Sequence, residues 1–437
     1  MARNFCAPLA PVPQAVLYWI NRMKKGDILM NWKILILVLL ALGHGYRLAL
    51  NILQKRSAAN PVPANVADVY DTETYQRWRA YNGEKSALGI FATLISLAVT
   101  GVLLGLNVYA AVAAWFPEGI FWQMFAVLLL TTLVDTLVNV GLSWYETMVI
   151  EEKYGFNRSS MKTFVTDQIR GFLLEFLLSF ALTGALIGVH KWLGDWMILA
   201  FAIVVFLFSL LISFLYPIFS RLGNKFVPLE EGDLKDKLMG LLTKHGYQVK
   251  AIEVMDASRR TTKLNAYFTG FGKMKTIVLY DNLVNAATPG EICAVFAHEL
   301  GHGLHKDVLK QQLMNFGNLL LMAAVVWLVV REPALHEAFG FAQVNYGLAY
   351  VLLGIGLGLV QPVTGMAMSA YSRFAEYRAD RQAVEEGYGK DLVTGLKMLA
   401  KENFADLAPH KALVVLEYSH PPLSERIAAI EEALTQR

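Results

Sequence analysis

The sequence is short of charge. Of its 437 residues only 17% are Asp, Glu, Lys or Arg, where soluble domains carry nearer a quarter, and this excludes an ordinary water-soluble chain. It holds two cysteines, Cys6 and Cys293, which excludes a disulfide framework; Cys293 falls within an apolar helical stretch and reads as a buried, inert thiol. A formal net charge of +3 is too small for a chain of this size to serve nucleic-acid binding. No tandem repeat or low-complexity tract is present. No long apolar core precedes a small-residue cleavage site near the start, and Pro8, Pro11 and Pro13 break any helix there, so a signal peptide is not expected.

What is abundant is apolar. Hydrophobic residues make up 55% of the chain, mean hydropathy is +0.40, and nine Trp fit a protein that meets membrane interfaces. Seven apolar runs are long enough to cross a bilayer, at about 34–53, 87–116, 120–142, 172–189, 196–219, 313–330 and 348–368. Trp192 and Trp196 flank the junction between the fourth and fifth, as interfacial anchors do. His44, Arg47, Asp135 and Glu175 fall inside the runs, and such groups face a bundle interior or a watery cavity. Between runs five and six the hydropathy falls. There 234–245 reads as an amphipathic helix, 248–255 as a strand, and 263–268 with 275–280 as paired strands. After run seven a more polar helix is expected to open around 372–380, and an amphipathic helix over 427–434 ends the chain. The expected organisation is therefore an N-terminal segment (1–33), five membrane helices (34–220), a soluble portion (221–310), two further membrane helices (311–370) and a C-terminal soluble portion (371–437).

The chemistry centres on His298-Glu299-Leu300-Gly301-His302, an H-E-x-x-H pattern. Thr288, Pro289 and Glu291 write a capping box with Pro at the first helical position, so a helix is expected to carry it. One turn apart on that helix, His298 and His302 share a face and both imidazoles reach one ion. Glu299 stands beside them, placed to act as general base on a water activated by that ion. A catalytic zinc takes three protein ligands. Glu376 is the candidate for the third, in Glu376-Tyr-Arg-Ala-Asp380, with Asp380 on the same helical face to orient a ligand His. Against this, Arg373, Arg378 and Arg381 are close enough to pair with these acids as a solvated charged face. His420 and Arg426 are candidates for stabilising an oxyanion. Asn265 and Tyr267, in a strand ahead of the metal helix, are candidates for holding an extended substrate or simply parts of an internal strand. His305 reads as a surface His or one that supports a ligand.

Five stretches in order, Glu151-Glu-Lys-Tyr-Gly-Phe-Asn157, Asn265-Ala-Tyr267, His298-Glu-Leu-Gly-His302, Glu376-Tyr-Arg-Ala-Asp380 and His420-Pro-Pro-Leu-Ser-Glu-Arg426, resemble the integral-membrane zinc metalloproteases of the CAAX prenyl protease 1 (Ste24) type, peptidase family M48. The resemblance covers roughly Tyr75 to the C-terminus. It implies a predominantly α fold, a seven-transmembrane-helix bundle around a chamber, closed by a gluzincin domain with a small β-sheet. It also implies one zinc ion (Zn2+) per chain held by His298, His302 and Glu376, with Glu299 as base. In the same reading Asn265 and Tyr267 meet the substrate backbone, and His420 and Arg426 face the oxyanion. The implied partners are a peptide or protein substrate, prenylated or not, and the lipid bilayer; nucleic acid is not expected, and the chain is expected to be a monomer.

The loop charges put the catalytic side in the cytoplasm. Compact loops and an ending, Thr435-Gln-Arg437, without a dilysine tail suit a bacterial inner membrane, with the endoplasmic reticulum as the alternative. Two competing functions stand beside CAAX cleavage. One is a protease that clears stalled membrane proteins. The other is a transporter or channel with a non-catalytic metal motif.

Overall fold

In a computed structural model the chain is described over residues 14–157, 159–221, 224–247, 251–259, 265–269 and 276–437. Lipid offers backbone groups no hydrogen-bond partners, so long apolar runs close their bonds internally as helices. These are α1 (Gln14–Ser57), α2 (Thr72–Gly105), the short α3 (Val108–Ala113), α4 (Ile120–Trp144), α5 (Met161–Leu193) and α6 (Met197–Arg221). Next come β1 (Phe226–Pro228), α7 (Asp233–Lys244), β2 (Ala251–Met255), β3 (Ala266–Thr269), β4 (Thr276–Tyr280), α8 (Asp281–Ala286) and α9 (Pro289–Leu304). The chain closes with α10 (Asp307–Arg331), α11 (Pro333–Ala338), α12 (Tyr346–Glu385), α13 (Gly389–Glu402), α14 (Lys411–Leu416) and α15 (Leu423–Thr435).

Six segments, on α1, α2, α4, α5, α10 and α12, are long and apolar enough to cross a membrane. The seventh is α6, whose 25 residues exceed the roughly 20 that a bilayer needs. Two expectations are corrected. The second span was expected to run to 116, but α2 stops at Gly105; Asn107 adopts φ 56° and turns the chain into α3. The helix expected to open near 372 does not open there, because α12 continues unbroken for 40 residues, about 60 Å at 1.5 Å per residue. The fall in hydropathy after Met368 marks where this helix leaves the apolar zone. Ala, Arg and Glu are good helix formers, so nothing in 372–380 stops it.

The bundle core gathers Met124, Val127 and Leu128 of α4, Ile187 of α5, Phe339, and Leu348 and Leu352 of α12. Polar voids also run through it. One of about 410 Å³ is lined by His44, Arg47 and Asp135; one of about 470 Å³ shares Arg47 and Gly358 with it and extends to Glu417. A third, about 260 Å³, lies between Asp135 and Glu175. The ionisable residues inside the spans thus line cavities in the bundle, as expected. Trp192 and Trp196 are largely exposed.

The part of the chain around α9 has its own core, in which Leu238, Leu242, Ile277, Leu279 and Phe296 interlock. Its sheet runs in the order β1-β2-β4-β3, with β2 and β4 parallel and the outer pairs antiparallel. The expected strand pair is β3 and β4, with Tyr267 opposite Val278; residues 248–250, 260–264 and 270–275 of the expected strands and their connection lie outside the described residues, as do 1–13. Because β3 lies at the end of the order, its outer edge carries no strand among the described residues.

Candidate metal centre

Helix α9 starts as its sequence dictates. Thr288 N donates to Glu291 Oε2 at 2.8 Å and Glu291 N donates back to Thr288 Oγ1 at 3.3 Å, closing the capping box. Its far side packs on α12 so closely that a Cβ on Gly301 would stand 3.0 Å from Ala379 Cα and 3.0 Å from Gln382 Cβ. A side chain there would need Ala379 or Gln382 to give by a few tenths of an ångström, and the close approach brings the carboxylates of α12 to the histidines of α9. Cys293 is free and buried against the same core, and burial pushes its thiol up.

Three ligand atoms converge. His298 Nε2 lies 3.5 Å from Glu376 Oε2, and His302 Nε2 lies 3.4 Å from Glu376 Oε1. Atoms about 2.0–2.1 Å from one ion at tetrahedral angles stand about 3.3–3.4 Å apart, close to both His–Glu spacings, and one atom from each of the three residues lies within 4.8 Å of the others, a group able to hold a metal ion. Both imidazoles are held from behind: Asp380 Oδ1 accepts from His298 Nδ1 at 2.9 Å, and Asp307 Oδ2 accepts from His302 Nδ1 at 3.0 Å. Carboxylates accept, so the Nδ1 atoms carry the protons and the Nε2 lone pairs point forward. Glu376 Oε2 is buried and accepts no hydrogen bond, its cationic neighbour being the Arg426 guanidinium in an ion pair; such an under-bonded oxygen is of the kind that a metal satisfies. In the metal-free protein burial pulls the His302 imidazolium down, but Glu376 and Asp307 outweigh it and push the group up to about 9; a metal ion would take the place of the Nε2 proton.

The charged-face alternative for the arginines does not hold for two of them. Arg378 pairs with Asp307, and Arg373 donates to the carbonyls of Val414 and Tyr418, both at 2.7 Å. Arg426 is 8% exposed and grips Asp380 in bidentate fashion, Nε to Oδ2 at 2.8 Å and Nη2 to Oδ1 at 2.6 Å, with Nη1 3.2 Å from Glu376 Oε2. His420 is the contrasting case: well exposed, its Nε2 lies 3.3 Å from Glu376 Oε1 at the cavity wall.

A cavity of about 540 Å³ joins these groups, lined by His298, Glu299, Glu376, His420 and Arg426 together with Asn265 and Ala266. The start of β3, the last strand in the sheet order among the described residues, therefore borders the candidate metal site. Tyr267 does not: it packs with Met255 and Val278 and meets Tyr280 edge to face, centroids 6.3 Å apart. Side chains alternate across a strand, so Ala266 takes the cavity side and the Tyr267 side chain the other.

The sequence pattern points to His305 in this neighbourhood and gives little sign of Asp307, the residue that in fact supports His302. Asp307 is 2% exposed and also accepts from Tyr371 at 2.8 Å. Lys306 at φ 56° reverses the chain between α9 and α10 and returns Asp307 to His302. An acid just past the end of a metal helix is the only local signal.

Residues 51–221 match the N-terminal domain of CAAX prenyl proteases, described as five membrane helices, and residues 228–434 match peptidase family M48. A CAAX prenyl protease 1 homolog of Oryza sativa subsp. japonica is 30% identical over 418 residues, covering 91% of this chain and 97% of the relative. The CAAX prenyl protease 1 of Saccharomyces cerevisiae is 28% identical, covering 85% and 88%. Among solved structures, Ste24p of S. mikatae superposes with a TM-score of 0.83 at 26% identity, covering 92% of this chain and 99% of that one. These relationships set aside a transporter or channel. The chain belongs to the CAAX prenyl protease 1 family of peptidase family M48 and is a multi-pass membrane metalloprotease.

Proposed function

We propose that the chain is a zinc endopeptidase that cuts near the C-terminus of prenylated CAAX-type peptides. What carries the reading is the convergence of His298 Nε2, His302 Nε2 and the Glu376 carboxylate beside Glu299, in a cavity that Asn265 and Ala266 of the β3 region also line. His298, His302 and Glu376 would hold one zinc ion. That ion supplies Lewis-acid activation of a water and of the scissile carbonyl.

The chain's own residues do the rest. The β3 edge and Asn265 hold the substrate extended by main-chain hydrogen bonds. Glu299 takes the proton of the attacking water and passes it to the leaving amine. His420, exposed in the cavity wall, donates toward the developing oxyanion. The donors of Arg426 are engaged by Asp380 and Glu376, so it positions those acids rather than contacting the oxyanion.

The relatives named CAAX prenyl protease 1 support the substrate class. We place the catalytic side in the cytoplasm, from the loop charges, favour a bacterial inner membrane over the endoplasmic reticulum, from the compact loops, and take the chain to act as a monomer. The test is cleavage of a farnesylated CAAX peptide and its unprenylated twin by purified protein, with and without a zinc chelator. Chelator-sensitive cleavage that favours the farnesylated peptide is expected. Equal rates on the twins would turn the reading toward clearance of unmodified proteins. Full activity of Glu299→Gln would sink the mechanism.

A further inference from the structure

The active-site cavity holds a carboxyl group that the mechanism leaves unused. Along α13 the cavity is lined by Leu392, Leu396, Leu399 and Ala400, an apolar wall about 12 Å long at 1.5 Å per residue. Past the end of that helix the lining turns polar, with Asn403, Asp406 and Tyr418. Asp406 accepts from the main-chain nitrogen of Ala408 at 3.0 Å and from Gln54 Nε2 of α1 at 3.2 Å. Both donors are neutral. No Lys, Arg or His lies within ion-pair distance of it among the described residues. A carboxylate offers about four acceptor positions, so two remain open.

The segment carrying Asp406 is held in place from the membrane side. Phe404 sits at φ 55°, enclosed by the rings of Tyr70, Tyr81 and Phe156 at centroid distances of 5.9, 5.7 and 5.4 Å. Tyr70 Oη donates to the carbonyls of Ala400 at 2.9 Å and Ala405 at 3.0 Å. Tyr81 is itself anchored, its hydroxyl donating to Glu151 Oε1 at 2.7 Å. The Glu151–Asn157 stretch thus braces the loop that forms one end of the substrate cavity.

We propose that Asp406 makes this cavity selective for substrates with a lysine or arginine at one position beside the scissile bond. The inference rests on the reading that this cavity holds the peptide during cleavage. A long basic side chain suits the polar end of the pocket: its methylenes lie against the last apolar residues of α13, Leu399 and Ala400, and its cationic head reaches the carboxylate. Without such a partner the carboxylate is an uncompensated charge in a partly apolar cavity, and burial pushes its carboxyl up. A cation placed there forms a charge-assisted hydrogen bond with the open positions.

The test uses the full-length purified protein and a peptide series with lysine, norleucine or glutamate at each position flanking the cleaved bond. Lysine should exceed norleucine in kcat/KM by about tenfold or more at one position, the ratio that one charge-assisted hydrogen bond supplies. Asp406→Asn should bring that ratio close to unity, and Asp406→Lys should reverse it in favour of glutamate. Bound zinc and thermal unfolding report whether each variant is folded, and should the lysine variant fail, the isosteric Asp406→Asn decides. A lysine-to-norleucine ratio near unity at every position in the unaltered protein, or one that survives in a folded Asp406→Asn protein, overturns the proposal. Glu299→Gln is run beside them. If it cleaves the whole series, the reading of the site has failed, whatever the lysine preference.

Discussion

Replacing Asp307 by Asn tests whether the hydrogen bond behind His302 controls the metal. In the native protein the carboxylate accepts from His302 Nδ1 at 3.0 Å and from Tyr371 Oη at 2.8 Å, and pairs with Arg378. Asparagine is nearly isosteric and keeps one acceptor oxygen, but it loses the charge. A charge-assisted bond exceeds a neutral one by about 1 kcal/mol. The amide can also donate, so it no longer forces the proton of His302 onto Nδ1. Loss of such a bracing partner weakens metal binding by about 10- to 100-fold, or about 1.4–2.8 kcal/mol. The assay is zinc affinity by chelator competition on purified, detergent-solubilised protein. Arg378→Gln is the control, since it breaks the ion pair yet leaves the His302 bond; its zinc affinity should move much less. An Asp307→Asn protein with unchanged zinc affinity would refute the reasoning.

Glu376→Ala should lower bound zinc well below one per chain by elemental analysis, while helix content by circular dichroism holds. Gly301→Ala should force α9 away from Ala379 and Gln382, reducing both melting temperature and zinc affinity; an unaffected protein would show that the helices slide apart freely. Thr288→Ala removes the capping box of α9 and should reduce stability by about 1 kcal/mol in thermal unfolding. Glu386 links α12 to α7 through Lys244 and His245, both at 2.7 Å. Burial raises this carboxyl, but those two partners hold it below the usual range. A lowered folded pKa stabilises above the unfolded value, about 4.3, and that stability is lost as pH falls through the folded pKa. Glu386→Gln should therefore flatten the acid limb of a melting-temperature profile while lowering its neutral plateau.

Much of the architecture was legible because local physics settles it. Apolar runs become helices in lipid regardless of their neighbours. His298 and His302 share a face because 3.6 residues make a turn, and Thr288 with Glu291 starts their helix by a bond three residues long. The helix expected to start near Ser372 misled for a related reason, since hydropathy reports solvent and not backbone continuity.

The tertiary structure alone decided which distant groups meet. It brought Glu376 to the histidines across the contact at Gly301, and it placed Asp307 behind His302 through the left-handed turn at Lys306. It turned Arg426 onto two acids, sent the Tyr267 side chain to the far face of the sheet, and gathered Gln54, Tyr81 and Phe156 around the loop that carries Asp406 to the cavity. Periodicity and capping act within a few residues of chain, so the sequence by itself determined the helices and the face that carries the motif. Contacts across tens or hundreds of residues depend on how closely helices pack, and that is set by the whole fold.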